Sequence, residues 1–173
     1  MNGLILLIPF LLIRFGLLHM RSREAVTRAA FFAPMKGNER IAYFIYQISN
    51  AAILFYSAFL KIVASSSYLF YGGLIIYLIG FVLLVFSVID FANPQNSGIN
   101  KNGIYKFSRN PMYVSYFIFL VGCAIIASSW ILFGIILIFQ ISAHWIILAE
   151  EKWCIEKFDS EYLQYMSEVR RYI

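Results

Sequence analysis

Between Pro111 and Ala149 the chain runs for 39 residues without an Asp, Glu, Lys or Arg, and this run constrains the fold more than any other feature. As one helix rising ~1.5 Å per residue it would be roughly 58 Å long, about twice the ~30 Å hydrocarbon thickness of a bilayer. It must therefore fold back once, and the polar pair Ser128-Ser129 near its middle marks the turn. The remainder is of the same kind. Of the 173 residues, 61% are hydrophobic and 13% charged, far more apolar than a soluble core requires.

Three further apolar stretches precede the hairpin. Gly3 to Met20 is the shortest and is interrupted by Arg14 and His19. It lacks a basic residue ahead of its apolar run and a small-x-small cleavage site, so it is read as a retained membrane helix rather than a signal peptide. Ile41 to Val63 and Tyr68 to Ile89 follow, separated by the turn Ser65-Ser66-Ser67. A polar loop from Asp90 to Asn110 carries the turn formers Asn93-Pro94, Asn96-Ser97-Gly98 and Asn102-Gly103. Beyond the hairpin, Ile155, Phe158, Tyr162, Tyr165, Val169 and Tyr172 recur at helical spacing, which predicts an amphipathic C-terminal helix over the tail from Glu150 to Ile173. The expectation is an all-α polytopic membrane protein of about five transmembrane helices, one domain over 1–173. Three N-terminal spans occupy 1–92, and a functional half of loop, hairpin and tail helix occupies 93–173. No internal repeat is visible.

Charge sets the orientation. Of the 14 Lys and Arg residues, Lys61 alone falls in a proposed outer segment; the basic loops 21–40 and 90–110 and the tail then face the cytoplasm, with the N-terminus outside. The net charge of +5 does not point to nucleic acid, because the basic residues lie in short loops rather than on one helix face or in a tail. Cys123 lies in an apolar span and Cys154 in the charged tail, so neither a mutual disulfide nor a metal knuckle is expected, and the redox compartment stays open. Oligomeric state is not encoded in any recognisable way.

Several residues could carry chemistry. Asn110-Pro111 reads as a helix start, with Asn at the cap and Pro at the first position, whose free N–H groups beside Arg109 would suit a carboxylate. A plain cap with a snorkelling arginine is the alternative. Folding the hairpin at Ser128-Ser129 brings Arg109 level with the stretch just before Glu150, so Arg109 should meet the acidic doublet Glu150-Glu151. Two adjacent acids at a helix C-terminal end oppose the helix dipole, unless the helix continues or a positive group, protein or ligand, sits nearby. Gln140, His144 and Glu151 share one helical stripe; for His144 an interhelical hydrogen bond is the simplest role. Tyr105, Tyr113, Trp145 and Trp153 gather at the same edge, as an interfacial aromatic belt would.

The order Gly103-Ile104-Tyr105, Arg109-Asn110-Pro111-Met112-Tyr113, long apolar hairpin, Glu150-Glu151, then Phe158, Tyr162 and Tyr165 resembles the C-terminal half of the isoprenylcysteine carboxyl methyltransferase family and its phospholipid methyltransferase relatives. The resemblance covers about Gly103 to Ile173. It implies an enzyme moving a methyl group from S-adenosylmethionine to a membrane-borne acceptor, an isoprenylcysteine-type carboxylate or a lipid-like amine, at the cytoplasmic face. It further implies that Arg109 orients a carboxylate, of cofactor or acceptor, and acts with Glu151 as the catalytic pair. Gly103, Tyr105, Asn110, Pro111, Tyr113, His144, Glu150 and Glu151 would form the cofactor side, and Tyr162 and Tyr165 the substrate pocket, with no metal. The partners are then the bilayer and a lipophilic or prenylated substrate, not nucleic acid. Three positions depart from the family pattern: Asn110 stands where the carboxyl methyltransferases often have His, and Ser115 and Asp159 stand where Gly is frequent. Asn-Pro-Met-Tyr is closer to the lipid amine methyltransferases. A non-enzymatic membrane scaffold or subunit is the alternative function. A transporter is disfavoured because charge gathers at one face, leaving only Arg14 and His144 along a path across.

Overall fold

The computed structural model describes residues 2–62, 67–94 and 98–173. Val63, Ser65-Ser66 and Asn96-Ser97, which figured in the expected spans and turns, lie outside the described residues. Within them the chain forms helices α1 (Leu4–Arg21), α2 (Arg23–Ala30), α3 (Asn38–Phe59), α4 (Tyr68–Ala92), α5 (Pro111–Ile126) and α6 (Trp130–Glu168), with a 3-10 turn at Gly103–Lys106 before α5. The all-α membrane architecture follows from this pattern: α1, α3, α4 and α6 are each long and apolar enough to cross a bilayer, and α5, at 16 residues, is a shorter apolar helix. Their outward faces carry large apolar side chains such as Leu12, Phe55, Leu69 and Ile138, which only lipid can cover without cost.

Side chains fix the helix starts. Ser22, Ser67 and Ser129 each accept from the backbone N–H three residues ahead, capping α2, α4 and α6. Ser128, with φ of 49°, makes the tight reversal between α5 and α6 where the charge-free run had to turn. The second span differs from expectation at both ends: α3 begins at Asn38 and stops at Phe59. Leu60 turns extended because its carbonyl receives the Gly3 N–H at 2.8 Å, and Asn2 bridges Lys61 alongside. The tail also differs: α6 continues past Glu150 and, through a kink at Asp159, to Glu168, and Val169 and Tyr172 lie in the non-helical segment after it. Continuation of the helix keeps the acidic doublet away from a free C-terminal end.

Two ends can be told apart by contact alone. At one, Asn2 and Gly3 pair with Ala58 to Lys61, and Ser129 Oγ reaches Tyr56. At the other, Arg28 donates to Phe91 O at 3.0 Å, and the tail pairs with the start of α5. Across the core, α5 packs chiefly on α4 and α6 chiefly on α3, while the two arms of the hairpin touch each other much less. The α4–α5 approach is close enough to exclude side chains. A Cβ added to Gly80 would stand 2.3 Å from Phe119 N, and one added to Gly122 would stand 2.5 Å from Tyr77 N, a small-residue contact of the kind that holds helices together in lipid. Because each arm of the hairpin leans on a different neighbour, a gap is left between them at the charged end.

Candidate active site

That gap is a cavity of about 450 Å³, within the ~300–1,000 Å³ of small-molecule sites. Its walls come from α1, α2, the segment after α2, the loop before α5, both hairpin arms and the first turns of the tail. Of the residues singled out in the sequence, Tyr105, Arg109, Asn110, Tyr113, Glu150, Glu151, Tyr162 and Tyr165 all line it. Gly103, Pro111 and His144 do not. Gly103, with φ of 53°, lies against the Asp90 carboxylate, where a Cβ would stand 2.0 Å from Oδ2, and Asp90 accepts from Ile104 N–H at 2.8 Å. Pro111 occupies the first position of α5. His144 Nδ1 pairs with Tyr172 OH at 2.6 Å. Its contact is with the tail, so the stripe shared with Gln140 and Glu151 delivers only Glu151 to the cavity.

Arg109 and the acidic doublet do meet, and the geometry divides the doublet in two. Arg109 donates to Glu151 Oε1 from Nε and Nη2 at 3.1 and 2.9 Å, and from Nη1 to the Met166 and Val169 carbonyls at 3.0 and 2.6 Å. Arg171 grips the same carboxylate from the other side, Nη2 reaching Oε2 at 2.7 Å. The side chains of Arg109 and Glu151 are 7% and 5% exposed and that of Arg171 is 32% exposed, so a buried ion pair is closed on one side by a partly exposed arginine. Its carboxylate holds the Arg171 guanidinium above its ordinary pKa. Glu150, one residue earlier, accepts from Tyr113 OH at 3.2 Å, and among the described residues it makes no ion pair. It is therefore the carboxylate that remains for a bound cation.

Asn110 stands at the cap position of α5 without capping it. Its amide instead donates to Arg171 O at 3.2 Å while Arg109 N–H donates to Arg170 O at 2.9 Å. The tail is thus tied across the start of α5. Tyr165 OH adds a 2.6 Å bond to Tyr105 O, and burial pushes the Tyr105 phenol well above its ordinary pKa. The Asn100 side-chain oxygen, also in the wall, is buried with no hydrogen-bond partner.

Sequence reasoning missed the contribution of the N-terminal half and of Arg171. Arg14 and Arg28 both line the cavity. Arg14 was visible as a lone charge in an apolar span, but only the fold shows where it points. Arg171 looked like any basic tail residue. Among the described residues, no group of three or more His, Cys, Asp or Glu side chains could hold a metal ion.

The arrangement offers one available carboxylate, one unpartnered amide oxygen and aromatic walls at the mouth of a membrane hairpin. No curated protein matches the chain. The model of the phospholipid methyltransferase family matches residues 60–161, from the end of the second span through both arms of the hairpin to beyond the acidic doublet. This match covers more than half of the chain, which therefore belongs to the phospholipid methyltransferase family and is a membrane methyltransferase.

Proposed function

We propose that the protein transfers a methyl group from S-adenosylmethionine to the amine of a membrane phospholipid, in the cavity between the hairpin arms at the cytoplasmic face. The observation that carries this reading is the cavity itself: the family segment supplies most of its lining, and Glu150 lines it with no ion pair among the described residues. When bound, the cofactor supplies an electrophilic methyl on a sulfonium. The residues present suit such a group, since the Asn100 oxygen, without a hydrogen-bond partner among the described residues, can accept from a hydroxyl or amino group, and Glu150 with the Tyr113 ring suits a cation.

The chain's own contribution is positioning and exclusion of water. A lipid ammonium that enters the cavity must lose a proton before its nitrogen can attack, and Glu150 is the group placed to take that proton. Arg109 and Glu151 act as positioning residues: their network holds α5, α6 and the tail in register so that Glu150 and Tyr113 face the cavity. Tyr162 and Tyr165 support the wall on the tail side. The amine is favoured over an isoprenylcysteine carboxylate as acceptor by the family match and by Asn110-Pro111-Met112-Tyr113. Inner orientation of this end is favoured by the basic residues gathered there.

Purified protein incubated with labelled S-adenosylmethionine and either total membrane lipid or a prenylcysteine mimic provides the test. The expected result is label in amine phospholipids, reduced at least 100-fold in Glu150→Gln, the order typical of a lost general base. Absence of cofactor binding by calorimetry would overturn the reading in favour of a non-enzymatic membrane subunit.

A further inference from the structure

Arg14 and Arg28 lie outside the family-matched segment, and the reading above gives them no role. An arginine within a membrane span is costly and ordinarily marks function. Here α1 widens into a π-helical turn at Leu12–Leu17, which holds Arg14, and such turns recur at functional sites. Arg14 donates from Nη2 to Ala29 O at 2.8 Å, its guanidinium carbon 6.0 Å from the Tyr116 ring centre. Arg28, the residue before Ala29, donates from Nη2 to Phe91 O at 3.0 Å, while its Nε is buried without a partner. Both side chains line the cavity. Among the described residues neither forms an ion pair with a carboxylate, unlike Arg109 and Arg171, whose charges meet on Glu151.

Two guanidiniums anchored through carbonyls, with an unpartnered donor on Arg28 and no carboxylate within ion-pair distance among the described residues, form a wall suited to an anion. Arginine forks match phosphate oxygens in pairs. We infer that Arg14 and Arg28 form an anion subsite that takes the phosphodiester of the acceptor lipid, leaving its amine to Glu150 in the same cavity. The inference rests on the phospholipid reading above and names the residues that select for it. It assigns the N-terminal helices, which the family segment does not include, the task of choosing the acceptor.

The test measures binding of a short-chain amine phospholipid and of a phosphate-free long-chain amine to the full-length protein in detergent, alongside S-adenosylmethionine affinity. Wild type, Arg14→Ala, Arg28→Ala and the two Lys variants are compared, with inorganic phosphate as a competitor. The expected outcome is that each Ala variant loses about tenfold of the preference for phospholipid over the phosphate-free amine, that the Lys variants fall between, and that cofactor affinity holds. Millimolar inorganic phosphate is expected not to displace the lipid; displacement would mean a free-anion site and overturn the inference. Equal weakening for both amines, or a parallel loss of cofactor affinity, would also overturn it. The two proposals fail separately. Arginine-dependent lipid binding without methyl transfer would sink the acceptor reading alone, and transfer to phospholipid with an unchanged preference in both Ala variants would sink the subsite alone.

Discussion

Glu150 and Glu151 are chain neighbours with opposite tasks, because a helix turns about 100° between them. Glu151 is satisfied on both oxygens by Arg109 and Arg171; Glu150 is nearly bare. Glu151→Ala leaves a 7% exposed guanidinium without its counter-charge and is expected to cost about 3–5 kcal/mol, seen as a lowered unfolding temperature in detergent. Glu150→Gln should leave that temperature within a few degrees of wild type while removing activity. A melting curve that shifts more for Glu150→Gln than for Glu151→Ala would contradict this division. Asp159 tells a related story. It sits in α6 at φ 44° and ψ −125°, a conformation only glycine adopts without strain, and glycine is frequent at this position in the resembled families. Asp159→Gly is expected to raise stability by about 1 kcal/mol, measured in the same melting experiment. The meeting of Arg109 with the doublet was legible from the hairpin alone. Which of the two acids it would take was not, because that depends on Arg171, brought back by a tail whose path no periodicity encodes.

At the scale of elements, the four long apolar helices and the shorter α5 were readable because their lengths follow the bilayer and their breaks follow serine caps and charge. Boundaries moved where backbone hydrogen bonds from distant residues intervened, as Gly3 does at Leu60. The tail helix was legible as apolar spacing, but its junction with the last span, continuous past Glu150 and kinked only at Asp159, was not, since periodicity does not say where one helix ends and the next begins. The pairing of α5 with α4 rather than with its own hairpin partner was equally hidden; it follows from Gly80 and Gly122 standing where each helix meets the other's backbone. Gly80→Ala and Gly122→Ala each force α4 and α5 apart by at least several tenths of an ångström and should lower stability by about 1–3 kcal/mol. Gly134, with nothing within 4 Å of an added Cβ, serves as the control: Gly134→Ala should not destabilise, as read by the same thermal scan.

For the whole molecule, the contacts place residues 2–3, 58–61 and 128–129 at one end and Arg28, Arg109 and the tail at the other. With the positive-inside bias, cysteine labels at Lys61 and Ser128 should react with a membrane-impermeant thiol reagent in intact cells, and one at Lys106 only after permeabilisation. The reverse pattern would put the cavity on the outer face. The separate allegiance of the two hairpin arms has a mechanical consequence. From Trp130 to Glu150 the last span is a rod of about 30 Å, so a tilt of about 5° at its serine pivot carries the far end about 2.6 Å. The width of the reaction chamber is therefore an angle before it is a set of side chains, held at one value by a carboxylate clasped between two arginines and open to adjustment by anything in the opposite leaflet that leans on the rod.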